Sequence, residues 1–342
     1  MAENSYLRWL SKTKSYWWTD SAVYRNMDGY IENGATGATT NPPLVRRSLY
    51  GDPDFWRPYL KNINPNLKSD EKTEEIIRHI TTAIAEKFLP VYKSSGGKQG
   101  YVCAQVNPAL QGNAEKMFEM AKRLNKWTEN IAVKIPANAA GLEVMEECAS
   151  LGITTVGTVG FSVPQAVEIA KRQTLGAAKA EKAGIKLGQA FSVVMVGRQD
   201  DYIRDIALDN RGNLAESDII QAGTAVIKRA YEIIKDESYR SQLMPAGMRG
   251  AYHTLDLAGM DMTMSISANI QDFLAKESPP FKEIFDTPVP KDVIERLCKI
   301  PEFVRAYEPD GMKPSEFLSY GLSQRTLSQF SEAWLSIQEF VL

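Results

Sequence analysis

Eight short runs of apolar and β-branched residues, separated by longer amphipathic stretches, occupy the first three quarters of the chain. They fall at residues 16–19, 34–38, 100–106, 131–135, 153–160, 189–196, 242–246 and 262–267. Nearly continuous hydrophobic runs of this length read as strands buried on both faces, the habit of parallel sheets covered by helices. Residues 71–87, 114–124, 140–150, 164–183, 217–235 and 249–257 carry apolar side chains at helical spacing between them. Eight βα units in order predict a closed (β/α)8 barrel, a TIM barrel, rather than an open doubly wound sheet.

Beyond residue 275 the rhythm changes. Pro279, Pro280, Pro288 and Pro290 interrupt the chain, and residues 292–299 and 314–340 then read as helices. The 342 residues are therefore expected to form one barrel domain, with the barrel at about 15–275 and a C-terminal helical cap at about 276–342. The stretch 50–70, rich in Pro, Asn and charge, reads as an ordered insertion loop over one barrel face.

The charge balance narrows the partners. Forty Lys and Arg against 42 Asp and Glu leave a formal net charge of −2, without the clustered basic excess that nucleic acid or an anionic membrane requires. Small molecules are the expected partners, and homo-oligomerisation is left open. Three scattered cysteines, Cys103, Cys148 and Cys298, form no CxxC pair, and the two histidines, His79 and His253, are far apart. That leaves little material for a zinc site or a Ser-His-Asp relay, so no metal and no organic cofactor is expected. With no apolar signal core at the start and no membrane-length apolar stretch, the sequence reads as cytoplasmic.

Active sites of this fold gather where the C-terminal ends of the strands converge. The polar residues at those predicted ends are Asp20, Thr40, Asn41, Gln105, Asn107, Lys134, Thr158, Arg198 and Arg249. Lys134 is the sharpest, because Val133 and Ile135 flank it inside an apolar strand. Desolvation and a nearby cation favour the free amine that attacks a carbonyl, and the resulting iminium is an electron sink. The plainer alternative is a structural lysine paired with a carboxylate such as Asp20. Asp20 itself suits proton exchange during aldol cleavage or, equally, a helix N-cap. Asn41 can hydrogen-bond sugar hydroxyls, although Asn before Pro also forms turns. Gln105 and Thr158 could hold a water between them or simply fill a barrel layer. Arg198 and Arg249 suit a bidentate clamp on a phosphate or sulfonate, with a surface ion pair as the alternative for either.

Taken together these segments resemble the transaldolase family, which includes transaldolases and fructose-6-phosphate aldolases. The resemblance runs from about Asp20 to Asn269. It rests on Gly37-Ala38-Thr39-Thr40-Asn41-Pro42, Val133-Lys134-Ile135-Pro136, Gly152-Ile153, Thr158-Val159-Gly160-Phe161-Ser162 with Gln165-Ala166, Val196-Gly197-Arg198, and Ala246-Gly247-Met248-Arg249 with Leu257-Ala258-Gly259. It implies a (β/α)8 barrel, a Schiff-base lysine at Lys134, an acid/base aspartate at Asp20, a donor-binding asparagine at Asn41 and phosphate contacts at Arg198 and Arg249.

Departures from the family pattern are equally specific. Gln105 stands where transaldolases carry Glu, and an amide cannot act as a general base. Val156 and Val193 replace the usual Asn and Ser, as in the aldolase branch, yet Met195 stands where that branch has Tyr. Gly247 replaces a Ser that often supports the phosphate. The expected activity is transfer of a dihydroxyacetone unit from an anionic ketose to an aldose. The alternatives are a lyase that cleaves the same C3–C4 bond without an acceptor and an inactive sugar-phosphate-binding relative. A phosphosugar isomerase would need a His or carboxylate poised for enolisation, and neither histidine lies at a predicted strand end.

Overall fold

A computed structural model describes residues 5–210 and 214–341. Eight strands form a closed barrel in sequence order: β1 (Ser15–Asp20), β2 (Gly37–Thr39), β3 (Tyr101–Gln105), β4 (Ile131–Pro136), β5 (Thr155–Thr158), β6 (Ala190–Val194), β7 (Gln242–Pro245) and β8 (Met262–Ser267). Every neighbouring pair is parallel, including β1 with β8, which closes the ring. The (β/α)8 barrel is thus the fold, and all eight expected strands are present. Their ends differ from the sequence reading by up to three residues, because apolar character continues past the last ladder hydrogen bond into the loops.

Side chains alternate along a strand, so the register decides what faces the barrel interior. Trp18 of β1 meets Phe191 of β6 edge-on at 4.9 Å between ring centroids, and Tyr101 of β3 lies 6.5 Å from each of them. Strands that are not neighbours touch only across the interior, so these rings form its floor at the N-terminal end. Gly37 permits this packing, because a Cβ there would stand 2.6 Å from Tyr101 O and 2.7 Å from the Trp18 ring. Two residues further along β1 and four along β3, the same face presents Asp20 and Gln105.

The stretch at 50–70 is more regular than its composition suggests. Helix Pro42–Gly51 leads directly into helix Pro53–Leu60. Pro53 occupies the first turn, where a missing N–H costs nothing, and Trp56 and Leu60 bury the inner face. The helix expected at 71–87 runs over Ser69–Ser94, through Pro90. Sequence reading also passes over the helices Tyr6–Leu10, Val196–Asp209 and Ala268–Glu277.

The C-terminal segment is helical as expected, with helices Lys291–Leu297, Pro301–Tyr307 and Gly321–Gln338. The last of these packs against helices Pro42–Gly51 and Ser69–Ser94. Phe303, Phe317, Phe330 and Trp334 are almost wholly buried, each contributing about 1.5–3 kcal/mol of hydrophobic stabilisation. Directional contacts fix the register: Trp334 Nε1 donates to Asp70 at 2.9 Å, and Arg296 grips Asp218 through two bonds of 2.6 and 2.9 Å.

Candidate active site

Lys134 sits in the middle of β4 and is 2% exposed. It pairs in register with Gln105 of β3 on one side and Val156 of β5 on the other, so all three face the interior together. Thr158 lies two residues beyond Val156 on the same face of β5. Gln105 Oε1 and Thr158 Oγ1 are buried and have no hydrogen-bond partner among the described residues. A buried orphan acceptor or hydroxyl costs about 1–3 kcal/mol. Two of them around one lysine mark a place suited to a polar ligand. Cys103, two residues below Gln105, has its thiol pushed up to about 11 by burial, with the Lys134 charge opposing the shift; it remains a thiol rather than a nucleophile at neutral pH.

Asp20 closes β1 and does not cap a helix, since the next turn begins at Tyr24 with Val23 in the capping position. Its carboxylate accepts a 2.8 Å hydrogen bond from Thr39 Oγ1, which also lies 2.6 Å from Ser265 Oγ of β8. Among the described residues no ion pair joins it to Lys134. Thr39 and Ser265 are members of this cluster that sequence reading missed. Both lie on strands, but only the barrel's closure brings β2, β1 and β8 side by side.

Thr40 and Asn41 follow β2. The Thr40 hydroxyl donates to Cys103 O at 2.5 Å, tying the loop to β3. Asn41 Oδ1 accepts from Leu44 N at 2.9 Å and caps helix Pro42–Gly51. Its amide nitrogen is therefore the group left to meet a ligand. Asn107 likewise turns inward on its own loop, accepting from Ala109 N at 2.9 Å. Ser192 directs its hydroxyl outward to Ala166 O, leaving Val193 and Met195 as the apolar wall on β6 and its exit.

Two guanidinium groups stand at the mouth. Arg198, on helix Val196–Asp209, donates to Gln329 at 2.7 Å and Thr326 at 3.3 Å on the last helix. Arg249, after β7, donates to Asp201 at 2.7 Å and to Gly247 O at 2.9 Å. Burial, and then the neighbouring Arg249, push the Arg198 guanidinium below its usual value. A desolvated cation beside a like charge is relieved by an anion, and that is what this end of the site can bind.

The loop after β5 shows how the site is held. Val159 adopts φ +56°, a left-handed conformation unusual for a β-branched residue. Gln165, wholly buried, accepts from Phe161 N and Ser162 Oγ at 3.0 Å each. It donates to Val159 O at 3.0 Å and Ala137 O at 3.2 Å. One carboxamide therefore joins the exits of β4 and β5, the strands of Lys134 and Thr158. Among the described residues no group of three His, Cys, Asp or Glu converges as a metal site, and no helix is long and apolar enough to cross a membrane.

The chain matches the family described as Transaldolase/Fructose-6-phosphate aldolase over residues 17–339. Transaldolase 2 of Streptomyces coelicolor is 32% identical over 210 residues, covering 58% of this chain and 55% of that protein. Transaldolase 1 of Streptomyces avermitilis is 31% identical over 227 residues, covering 62% and 58%. A transaldolase of Mycobacterium tuberculosis is 30% identical over 246 residues, covering 66% and 65%. The match thus spans little more than half the length of the two Streptomyces relatives. With the barrel, the strand-end cluster and a family match over nearly its whole length, the chain belongs to the transaldolase/fructose-6-phosphate aldolase family.

Proposed function

We propose that this protein is a transaldolase-type enzyme that moves a dihydroxyacetone unit from an anionic ketose to an aldose through a Schiff base on Lys134. The observation that carries this reading is Lys134 itself: a lysine 2% exposed inside the barrel, beside the orphan polar atoms of Gln105 and Thr158. Retaining a lysine there without an ion pair is costly, and nucleophilic use gives it a reason.

In this mechanism Lys134 Nζ attacks the C2 carbonyl of the ketose, and loss of water yields an iminium, with Gln105 and Thr158 orienting that water. Asp20 takes the C4 hydroxyl proton. The C3–C4 bond breaks, its electron pair moves into the iminium to give an enamine on Lys134, and an aldehyde leaves with its distal anion on Arg198 and Arg249. Asn41 holds the donor hydroxyls through its free amide, and Thr40 fixes the loop that carries it. Capture of the enamine by a second aldose, with Asp20 returning the proton, forms a new iminium, and its hydrolysis by the water that Gln105 and Thr158 orient frees the product ketose and regenerates the Lys134 amine. The three free cysteines accord with a reducing, cytoplasmic setting.

A lyase without an acceptor is the second reading, favoured by the amide at Gln105 and by Val156 and Val193 in the interior. Borohydride trapping with fructose 6-phosphate and with dihydroxyacetone, followed by peptide mapping, tests both. We expect a stable adduct on Lys134 that is absent from Lys134→Met. A dependence of turnover on erythrose 4-phosphate then identifies the transferase, and turnover without it the lyase. A folded protein that traps no ketose would leave an inactive binding relative as the better account.

A further inference from the structure

Behind the two arginines lies a buried polar cluster that the mechanism above does not use. Asp200 is two residues beyond Arg198 on helix Val196–Asp209 and is fully buried. Its Oδ1 accepts the Gly223 N–H at 2.8 Å, and its Oδ2 accepts the Tyr252 hydroxyl at 3.0 Å. His253, also fully buried, brings Nε2 to 3.0 Å from the same Oδ2, although off the line of its N–H. The His253 Nδ1 faces the Arg249 backbone N–H in a long contact of 3.5 Å.

We propose that Asp200, Tyr252 and His253 are positioning residues that hold Arg249 opposite Arg198, so that the two guanidinium groups are ready for a substrate anion. The proposal rests on the reading of Arg198 and Arg249 as an anion clamp. Those two groups repel, and they reach the mouth from different elements, Arg198 from the helix after β6 and Arg249 from the segment after β7. The segment bearing Arg249 continues into a helix of only six residues, Ala251–Asp256, too short to fix its own orientation. Asp200 anchors this segment through the Tyr252 hydroxyl, with His253 packed against the same carboxylate oxygen. The adjacent Asp201 takes Arg249 Nε at 2.7 Å while itself bound by Arg204 at 2.9 Å. A single helix thus carries one half of the clamp and grips the other.

The cost of the device argues for its use. A fully buried carboxylate gives up its solvation, and an apolar residue would pack in the same place without that loss. Burial and the Asp200 charge raise the Tyr252 phenol well above its ordinary range, which keeps it the hydrogen-bond donor that the arrangement needs.

Asp200→Asn and Tyr252→Phe keep side-chain volume while weakening the network, and circular dichroism establishes that each variant is folded. Inorganic phosphate is the probe of the clamp, titrated calorimetrically. Borohydride trapping of uncharged dihydroxyacetone on Lys134 is the probe of the rest of the site. We expect phosphate to bind about tenfold more weakly to Asp200→Asn and about threefold more weakly to Tyr252→Phe, with trapping rates unchanged. The same ratios should appear in KM, and not in kcat, for a phosphorylated substrate. Should Asp200→Asn fail to fold, Tyr252→Phe alone decides.

Wild-type phosphate affinity in the folded variants would overturn the proposal, as would a fall in trapping parallel to the fall in phosphate binding, which is general loosening. A wild-type protein that binds phosphate but traps no ketose would refute the Schiff-base reading and leave this inference standing. A wild-type protein that binds no phosphate would remove the clamp on which the inference rests.

Discussion

A single carboxamide, that of Gln165, holds together the exits of β4 and β5, the strands of Lys134 and Thr158. Without it, Val159 would be free to leave its left-handed conformation, which costs about 1–3 kcal/mol to maintain. Gln165→Leu keeps the volume but strands the Phe161 N–H, the Ser162 hydroxyl and the Val159 and Ala137 carbonyls. With each unsatisfied buried group costing about 1–3 kcal/mol, the variant should lose about 3 kcal/mol or more, read as a lower urea midpoint at constant m. A loss below about 1 kcal/mol would mean that the loop is held by other contacts. Gln165 shows why residue-scale legibility is uneven. Lys134 stands out in the sequence because a charge inside an apolar strand is anomalous on its face. Thr39 and Asp200 have no such local signature, since the partners that explain them lie on other elements, up to 226 residues away for Thr39 with Ser265. Gln165, by contrast, sits three to six residues from Ser162, Phe161 and Val159 and reaches a distant strand exit only through Ala137 O.

At the scale of elements, the loops after β2, β4 and β5 share a device. Asn41, Asn138 and Ser162 each cap the helix that follows, accepting from backbone N–H groups at 2.8 to 3.3 Å. The capping residue therefore stands at the mouth of the barrel, and structural and functional readings of Asn41 are not exclusive. Asn41→Ala removes the cap and should cost about 1 kcal/mol of stability. Asn41→Asp retains a capping oxygen, so its stability should stay within about 0.5 kcal/mol of wild type. Both lose the amide donor, so both should raise KM for the ketose. An Asp variant with wild-type KM would reduce Asn41 to a cap alone. The same junctions explain what the sequence reveals of the elements. Strands buried on both faces announce themselves as apolar runs, whereas helix Pro53–Leu60 is hidden by two prolines, Pro53 at its first turn, where no N–H is missed, and Pro58 inside it on an exposed side, where one is.

For the molecule as a whole, the barrel and its helical coat bury many weak acids. Burial pushes the thiols of Cys103 and Cys148 up to about 11 and about 12, and the Tyr101 phenol to about 12. Tyr6 and Tyr320 are raised further still, again by desolvation. In the unfolded chain these protons leave near the ordinary values of about 8.5 for a thiol and about 10 for a phenol. Above those values the unfolded state binds fewer protons than the native state, so stability falls as pH rises. Their contribution is complete below the unfolded values and is lost progressively toward the native ones. Lys228, lowered by burial, acts in the opposite sense but is outnumbered by these groups and by Tyr252, which burial also raises. Each raised acid adds a slope of about 1.4 kcal/mol per pH unit once its unfolded form is ionised. The urea midpoint should therefore be insensitive to these groups at pH 7–8 and decline steadily from about pH 9 to 11. Cys103→Ala and Cys148→Ala, although each lowers stability at neutral pH by leaving a small void, should both make that decline shallower. A midpoint that held level through pH 10.5, or a slope untouched by removing either thiol, would mean that these acids are not sealed from water in the native barrel.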